Sequence, residues 1–147
     1  METRIEQINS LISQLDDKTK KKLQTQTLLN LMTKIKDNVH PEIEQLLLDV
    51  TTTIQGATEL SSFQKNLYNK QLTLLKKTVK KEFGYIAKGD IIAERMAIGV
   101  GFGVAIGAGL MAVNAAFLGV GIAVGVALGL SIGTTQEKKE EEKGNIY

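Results

Sequence analysis

The sequence has no cysteine and no tryptophan among its 147 residues, and it has one proline and one histidine. Without cysteine, the chain has neither disulfides nor thiolate ligands for a metal, and its redox compartment stays undetermined. The N-terminus lacks a basic segment followed by an apolar stretch, so we expect no cleavable secretory signal. Export would then need a route that does not depend on such a signal.

Side chains that perform catalysis or hold cofactors are scarce. His40 is the only histidine, and its place before Pro41 at an expected helix start is more typical of a capping or surface residue than of a ligand. Glu42 and Glu44 are two residues apart, so they do not face each other on a helix. The glycine-rich stretch lacks the Gly-Lys-Ser/Thr ending of a phosphate-binding loop. We expect no enzyme, no cofactor and no metal site.

Charge is nearly balanced over the chain, with 18 lysines and arginines against 16 aspartates and glutamates. The few aromatic residues are not interleaved with the basic cluster, so nucleic-acid binding is not expected. However, residues 65 to 95 carry eight basic and three acidic side chains. Such an excess beside a membrane segment attracts anionic headgroups and favours a cytoplasmic side. The residues expected at a membrane surface are Lys76, Lys77, Lys80, Lys81, Lys88 and Arg95.

Residues 96 to 136 contain no charged side chain. A bilayer core about 30 Å thick needs roughly 20 apolar residues as a helix, so one helix of this length would overshoot. The glycine pattern lapses around Asn114, whose amide can stabilise a turn. We therefore expect a helical hairpin that turns at Asn114, with both ends on one side. Its arms, about residues 96 to 113 and 116 to 132, would be ~25 to 27 Å long.

Glycine recurs at every fourth position in both arms. Such residues share one helix face, where the missing Cβ lets another helix approach backbone to backbone. A second stripe of small residues, which includes Gly101 and Gly109 in the first arm and Gly119 in the second, runs on the opposite face. One face could close the hairpin and the other could bind a second copy, so we expect a homo-oligomer. The helix-packing glycines are Gly99, Gly103, Gly107, Gly121, Gly125, Gly129 and Gly133.

Two other interpretations of the glycines stay open. Glycine is common in membrane helices, so the pattern could reflect composition alone. Residues 99 to 109 and 119 to 133 also alternate small and large, which is typical of strands, and strand hairpins from many chains could close into a barrel. A barrel lumen is usually polar, whereas glycine and alanine would line this one. We therefore favour helices.

The first 90 residues carry apolar side chains three and four apart, which predicts amphipathic helices. Asp16 or Asp17 can cap one helix whose apolar stripe continues to Ile35, and Pro41 suits the first position of the next. Whether that helix continues through Gly56 stays open. The narrow stripes predict a small bundle or a coiled-coil-like association, which could also bind a protein partner.

The basic segment from residue 65 to 83 has a second interpretation. Its lysines alternate with Leu72, Leu75, Val79 and Phe83, which also suits a helix that lies on a membrane surface. At its end, Asp90 could cap the helix that enters the membrane.

The segment from Gly99 to Gly133 resembles glycine-zipper membrane proteins, a loose class with GxxxGxxxG repeats. The class includes oligomeric channels, surface lipoproteins and membrane-inserting bacterial toxins. The resemblance covers about a quarter of the chain and implies tight helix packing rather than one activity. Soluble helices followed by an apolar hairpin also look like the plan of α-helical pore-forming proteins.

These patterns predict an all-α protein with amphipathic helices over residues 1–90, a membrane hairpin over 91–133 and a charged, flexible tail over 134–147. The leading hypothesis is a bacterial-type, non-enzymatic anchor or assembly element in the inner membrane, with both termini cytoplasmic. The alternative is a pore-forming effector or toxin that is soluble or secreted before insertion. A soluble oligomer that buries the hairpin in a protein core is the third hypothesis.

Overall fold

The computed structural model describes residues 2–37, 39–55 and 61–147. Within these ranges the chain forms seven helices and one isolated bridge, so the strand interpretation is wrong. The chain divides into two compact units, one up to Tyr85 together with Tyr147, the other Ile86–Ile146. The helices are α1 (Glu2–Ser13), α2 (Asp17–Lys22), α3 (Thr25–Ile35), α4 (Pro41–Ile54), α5 (Ser62–Phe83), α6 (Asp90–Leu110) and α7 (Ala116–Glu142).

The first unit is a small helical bundle. The apolar residues spaced three and four apart point inward from α1, α3, α4 and α5, as the amphipathic pattern predicts. Burial of these stripes is the main source of stability for such short helices, because isolated helices of this length are marginal in water. The core includes Ile8, Ile12, Leu28, Leu31, Met32, Ile43, Leu47, Val50, Leu72, Leu75 and Val79.

The single helix expected after Asp16 is divided into α2 and α3. Asp16 caps α2, where its Oδ2 accepts a hydrogen bond of 3.0 Å from the Thr19 N–H. No residue of α2 is buried, since its sequence has no apolar side chain. The chain then turns at Gln24, whose φ of 50° is left-handed. This turn separates the polar α2 from the buried stripe of α3 and leaves Leu23 fully buried between them.

Local signals set the bounds of α4 and α5. Pro41 begins α4, where its fixed φ and missing N–H cost nothing. The open question at Gly56 lies outside the described residues. A capping box begins α5, because the Ser61 Oγ accepts from the Gln64 N–H at 3.2 Å while the Gln64 Oε1 accepts from the Ser61 N–H at 2.9 Å. The helix ends at Gly84, whose φ of 72° suits a left-handed C-cap.

The second unit is a hairpin of α6 and α7, which confirms the helical hairpin. α7 continues to Glu142, so residues 134–142, which the sequence analysis assigns to a flexible tail, extend the second arm as a helix. After α7, Gly144 takes a φ of 74° and the chain turns back. The Ile86 N–H then donates to the Asn145 carbonyl at 2.8 Å, which joins the two ends of the unit.

Candidate membrane hairpin

The central glycines of the two series lie in direct contact between α6 and α7. Gly99 faces Gly125 and Gly103 faces Gly121. A Cβ added at any of these four positions would overlap with the carbonyl oxygen of the facing glycine. The two backbones therefore touch because no side chain separates them, and the contact consists of dispersion attraction between main-chain atoms.

The remaining three glycines extend this contact to both ends of the hairpin. Near the turn, a Cβ at Gly107 would lie 2.8 Å from the Phe117 carbonyl oxygen. Toward the other end, a Cβ at Gly129 would lie 2.5 Å from the Arg95 carbonyl oxygen, and one at Gly133 would lie 2.8 Å from an α carbon in the first turn of α6. All seven glycines that recur at the four-residue period thus lie on the face that closes the hairpin.

The second stripe of small residues is uncovered. A Cβ at Gly101, Gly109 or Gly119 would meet no atom within 4 Å. Ala105 and Ala123, which belong to the same stripe, are exposed. The chain therefore uses one small-residue face internally and leaves the other open.

Asn114 lies in the turn between the arms. Its Oδ1 accepts a hydrogen bond of 2.9 Å from the Ala116 N–H, and its carbonyl oxygen accepts one of 3.1 Å from the Phe117 N–H. The side chain thus supplies an acceptor for an N–H at the start of α7 that has no partner within the helix. Around it the tip is apolar and uncharged, and Val113 is 79% exposed.

A polar contact closes the end of the hairpin opposite the turn. The Glu137 Oε2 accepts a hydrogen bond of 2.7 Å from the Gly89 N–H, and Glu137 is 6% exposed. Gly89, rather than Asp90, is the N-cap of α6, with a φ of 88°. A carboxylate from α7 therefore lies where the dipole of α6 favours negative charge and supplies an acceptor for an N–H at the start of that helix.

Two of the basic residues expected at a membrane surface also contact α7. The Arg95 Nε donates to the Gln136 Oε1 at 2.7 Å, and the Lys88 Nζ pairs with the Glu141 Oε1 at 3.2 Å. Both partners of the lysine pair are exposed, so the pair adds little stability. The other four basic residues lie on α5 in the first unit, where Lys77, Lys80 and Lys81 are exposed and Lys76 is half-buried.

Sequence reasoning misses the role of Glu137 because it places this residue in the charged tail. Glu137 follows Gly133 by four residues, as Gly133 follows Gly129, so it continues the glycine series on the same helix face. Glu141 is four residues further along and pairs with Lys88, which precedes α6. The four-residue period was the signal that could have identified both acids.

The outward surface of the hairpin is apolar. Only 17% of the residues in the apolar segment of each helix are buried, whereas large apolar side chains of a soluble protein are mostly interior. By length and composition, α6 and α7 are the two helices among the described residues that could cross a membrane. The exposed side chains include Ile98, Phe102, Ile106, Leu110, Val120, Val124, Leu128, Leu130 and Ile132.

One side of the hairpin forms an open groove of about 430 Å³. The glycines of the two series, apart from Gly133, form its floor, Phe102 and Val124 stand on its two walls, and Arg95 lies at the end opposite the turn. The groove is lined by apolar groups apart from this arginine, so it provides no polar path along the hairpin.

Within the described ranges, no group of three or more His, Asp or Glu side chains is placed to hold a metal ion. Comparisons with protein-family models, curated proteins and solved structures gave no match. The geometry of the hairpin is therefore the basis for a functional proposal.

Proposed function

We propose that the protein is a non-enzymatic membrane protein that inserts α6 and α7 into a lipid bilayer as a hairpin and acts as an anchor or assembly element. One observation carries the proposal: the large apolar side chains in the uncharged part of the hairpin point outward, while its packing glycines are already used inside. A continuous exposed apolar surface of this kind is typical of a membrane or protein contact.

The dimensions of the hairpin support this proposal. The uncharged part of α7, residues 116–136, is ~31 Å long, close to the hydrocarbon thickness of about 30 Å. The uncharged part of α6, residues 96–110, is ~22 Å long and is extended by the turn. Both arms satisfy their backbone hydrogen bonds internally, as a bilayer requires. Lys88, Arg95 and Glu137 then lie at headgroup level.

A hairpin that crosses twice returns the chain to the side from which it entered. The basic excess before α6 favours the cytoplasmic side for both termini under the positive-inside rule. The proposed location is the inner membrane of a bacterial-type cell.

The uncovered small-residue stripe supports self-association within the membrane. Gly101, Gly109 and Gly119 leave open space where a helix of a second copy can approach closely. Replacing Gly101 and Gly119 with leucine should reduce cross-linked oligomers in detergent, because the larger side chains fill that space. Val120→Leu, which enlarges an exposed side chain outside the stripe, should leave them unchanged. Oligomers that persist in the double leucine variant would contradict this interface.

Insertion is tested with single thiols, because the chain has no cysteine of its own. Val113→Cys reports on the tip of the hairpin and Lys138→Cys on the end opposite the turn, and both positions are exposed. With anionic liposomes present, a membrane-impermeant maleimide should label Lys138→Cys but not Val113→Cys. Detergent should restore labelling at the tip. Equal labelling of both variants with liposomes present would contradict insertion.

Release of a trapped dye separates the anchor from the pore-forming alternative. We expect insertion without release, since Asn114 and Ser131 are the only polar side chains between Ile98 and Ile132. A hairpin with so few polar groups has little with which to line an aqueous path. Release that is lost in the Gly101 and Gly119 leucine variant would show an oligomeric pore and would contradict the anchor.

The third hypothesis, a soluble oligomer that buries the hairpin, has its own measurement. Monodisperse protein in detergent-free buffer would support it.

A further inference from the structure

α5 has two apolar stripes, and the bundle covers only one of them. Tyr68, Leu72, Leu75 and Val79 are buried in the core of the first unit, and Phe83 packs against that core. Apart from Tyr68, these are the apolar residues whose alternation with lysines also suits a membrane-surface helix. The structure buries Leu72, Leu75 and Val79 in the bundle and packs the half-buried Phe83 against its core, so this face is not available to lipid.

The second stripe lies on the opposite side of α5 and is exposed. Its members are three and four residues apart and span roughly 80° of the helix circumference over a length of ~27 Å. Phe63 is 75% exposed, Leu74 52% and Leu67 39%. We name this set the basic-apolar stripe: Phe63, Leu67, Lys70, Leu74, Lys77 and Lys81.

The charges of the stripe indicate what it binds. All three of its charged residues are lysines, and no acidic side chain belongs to it. The closest acid in sequence is Glu82, which pairs with Lys81 at 3.5 Å while the Lys81 side chain remains 82% exposed. The stripe therefore presents a surface of net positive charge that also carries large apolar groups, a combination typical of helices that lie in a membrane interface.

From this geometry we infer that α5 docks on an anionic lipid surface through the basic-apolar stripe. Phe63, Leu67 and Leu74 enter the boundary between headgroups and acyl chains. The lysines extend their apolar stems along that boundary and bind anionic headgroups with their ammonium groups. This inference goes beyond the proposed function, since it concerns a different element and different residues.

A single-tryptophan reporter tests the docking directly. Because the chain has no tryptophan, Phe63→Trp creates the only one, at an exposed position where the larger ring needs no space in the core. With vesicles of mixed phosphatidylserine and phosphatidylcholine, its emission should shift to the blue. Brominated acyl chains in the same vesicles should quench it. Emission that stays at its value in water would overturn the inference.

Two triple variants separate the stripe from net charge. In the Phe63→Trp background, replacing Lys70, Lys77 and Lys81 with glutamine should lower the ratio of docked to undocked α5 roughly 125-fold, at about fivefold for each lysine. The matched control replaces Lys18, Lys21 and Lys22, exposed residues on α2 that have no apolar neighbours within that helix. The control should retain the blue shift. An equal loss in both variants would show that only net charge matters and would overturn the inference.

A second reporter distinguishes failure of this inference from failure of the proposed function. Phe102→Trp places the only tryptophan on the exposed surface of α6. If this reporter enters the bilayer and the Phe63→Trp reporter stays in water, the hairpin function stands and the docking of α5 is wrong. If the Phe63→Trp reporter alone is quenched by brominated lipid, the docking stands and the hairpin function is wrong. Binding of an acidic peptide to the stripe without any effect of vesicles would assign it to a protein partner and overturn the lipid docking.

Discussion

Replacing Gly103 with alanine tests whether backbone contact holds the hairpin together. The new Cβ would overlap with the Gly121 carbonyl oxygen and lie 3.1 Å from the Ile122 Cα. Both atoms belong to a helix backbone, which cannot rotate aside as a flexible side chain can. The two arms must therefore separate by roughly 1 Å to restore an ordinary van der Waals distance.

Gly101→Ala is a matched control on the same helix, because a Cβ at that position meets nothing within 4 Å. Both substitutions gain about 1 kcal/mol of helix propensity over glycine, so this contribution cancels in the comparison. The overpacking at Gly103 costs about 1 to 3 kcal/mol. The Gly103→Ala protein should therefore be less stable than the Gly101→Ala protein by about this amount.

Thermal unfolding in detergent micelles, followed by far-ultraviolet circular dichroism, measures this difference. Spin labels on Phe102→Cys and Val124→Cys, both exposed on the groove walls, report the separation of the arms. The distance between the labels should lengthen with Gly103→Ala and stay constant with Gly101→Ala. Equal stabilities and equal distances in the two variants would refute the reasoning from the glycine contacts.

Three further predictions concern groups outside the glycine contact. Glu137→Ala should cost about 1 to 3 kcal/mol, because the Gly89 N–H loses its acceptor, and amide exchange at Gly89 should accelerate; unchanged exchange would contradict the role of this contact. Burial raises the pKa of the Tyr68 phenol, whose hydroxyl has no hydrogen-bond partner among the residues that the structure describes. Tyr68→Phe should therefore leave chemical-denaturation stability equal or raise it by up to about 1 kcal/mol, and a clear loss would indicate a partner for the hydroxyl. Hydrogen bonds from Thr19 hold the pKa of Asp16 below its ordinary value of 3.8. The ionised Asp16 cap therefore stabilises the folded state at pH values above 3.8, and this stabilisation is lost as the pH falls through the lowered pKa. An NMR titration of Asp16 with a midpoint at or above 3.8 would contradict this assignment.

The N-terminal bundle shows how far periodicity alone can go. Spacings of three and four identify Ile8, Ile12, Leu28 and Leu31 as interior residues, and all four are buried. The same spacing does not reveal the turn at Gln24, because a change of chain direction depends on which stripes can meet in space. The helical type of each element follows from local pattern, whereas the position of the turn between α2 and α3 follows from packing.

α5 shows the same division. Its sequence contains two sets of apolar residues among the lysines, and either set could face lipid. Only the bundle decides that Leu72 and Leu75 are interior and that Phe63 and Leu74 are not. The exposed basic-apolar stripe could not be chosen before the buried one was known.

For the hairpin, the sequence by itself determined the uncharged run, the four-residue glycine series and a turn at Asn114, because each follows from residue chemistry or from helix periodicity. It did not determine which of two small-residue faces closes the hairpin, nor that Glu137 would contact Gly89. Those outcomes depend on how two antiparallel arms approach each other. Only the tertiary structure brings Gly103 against Gly121 and leaves Gly101 open, because that approach joins residues distant in sequence.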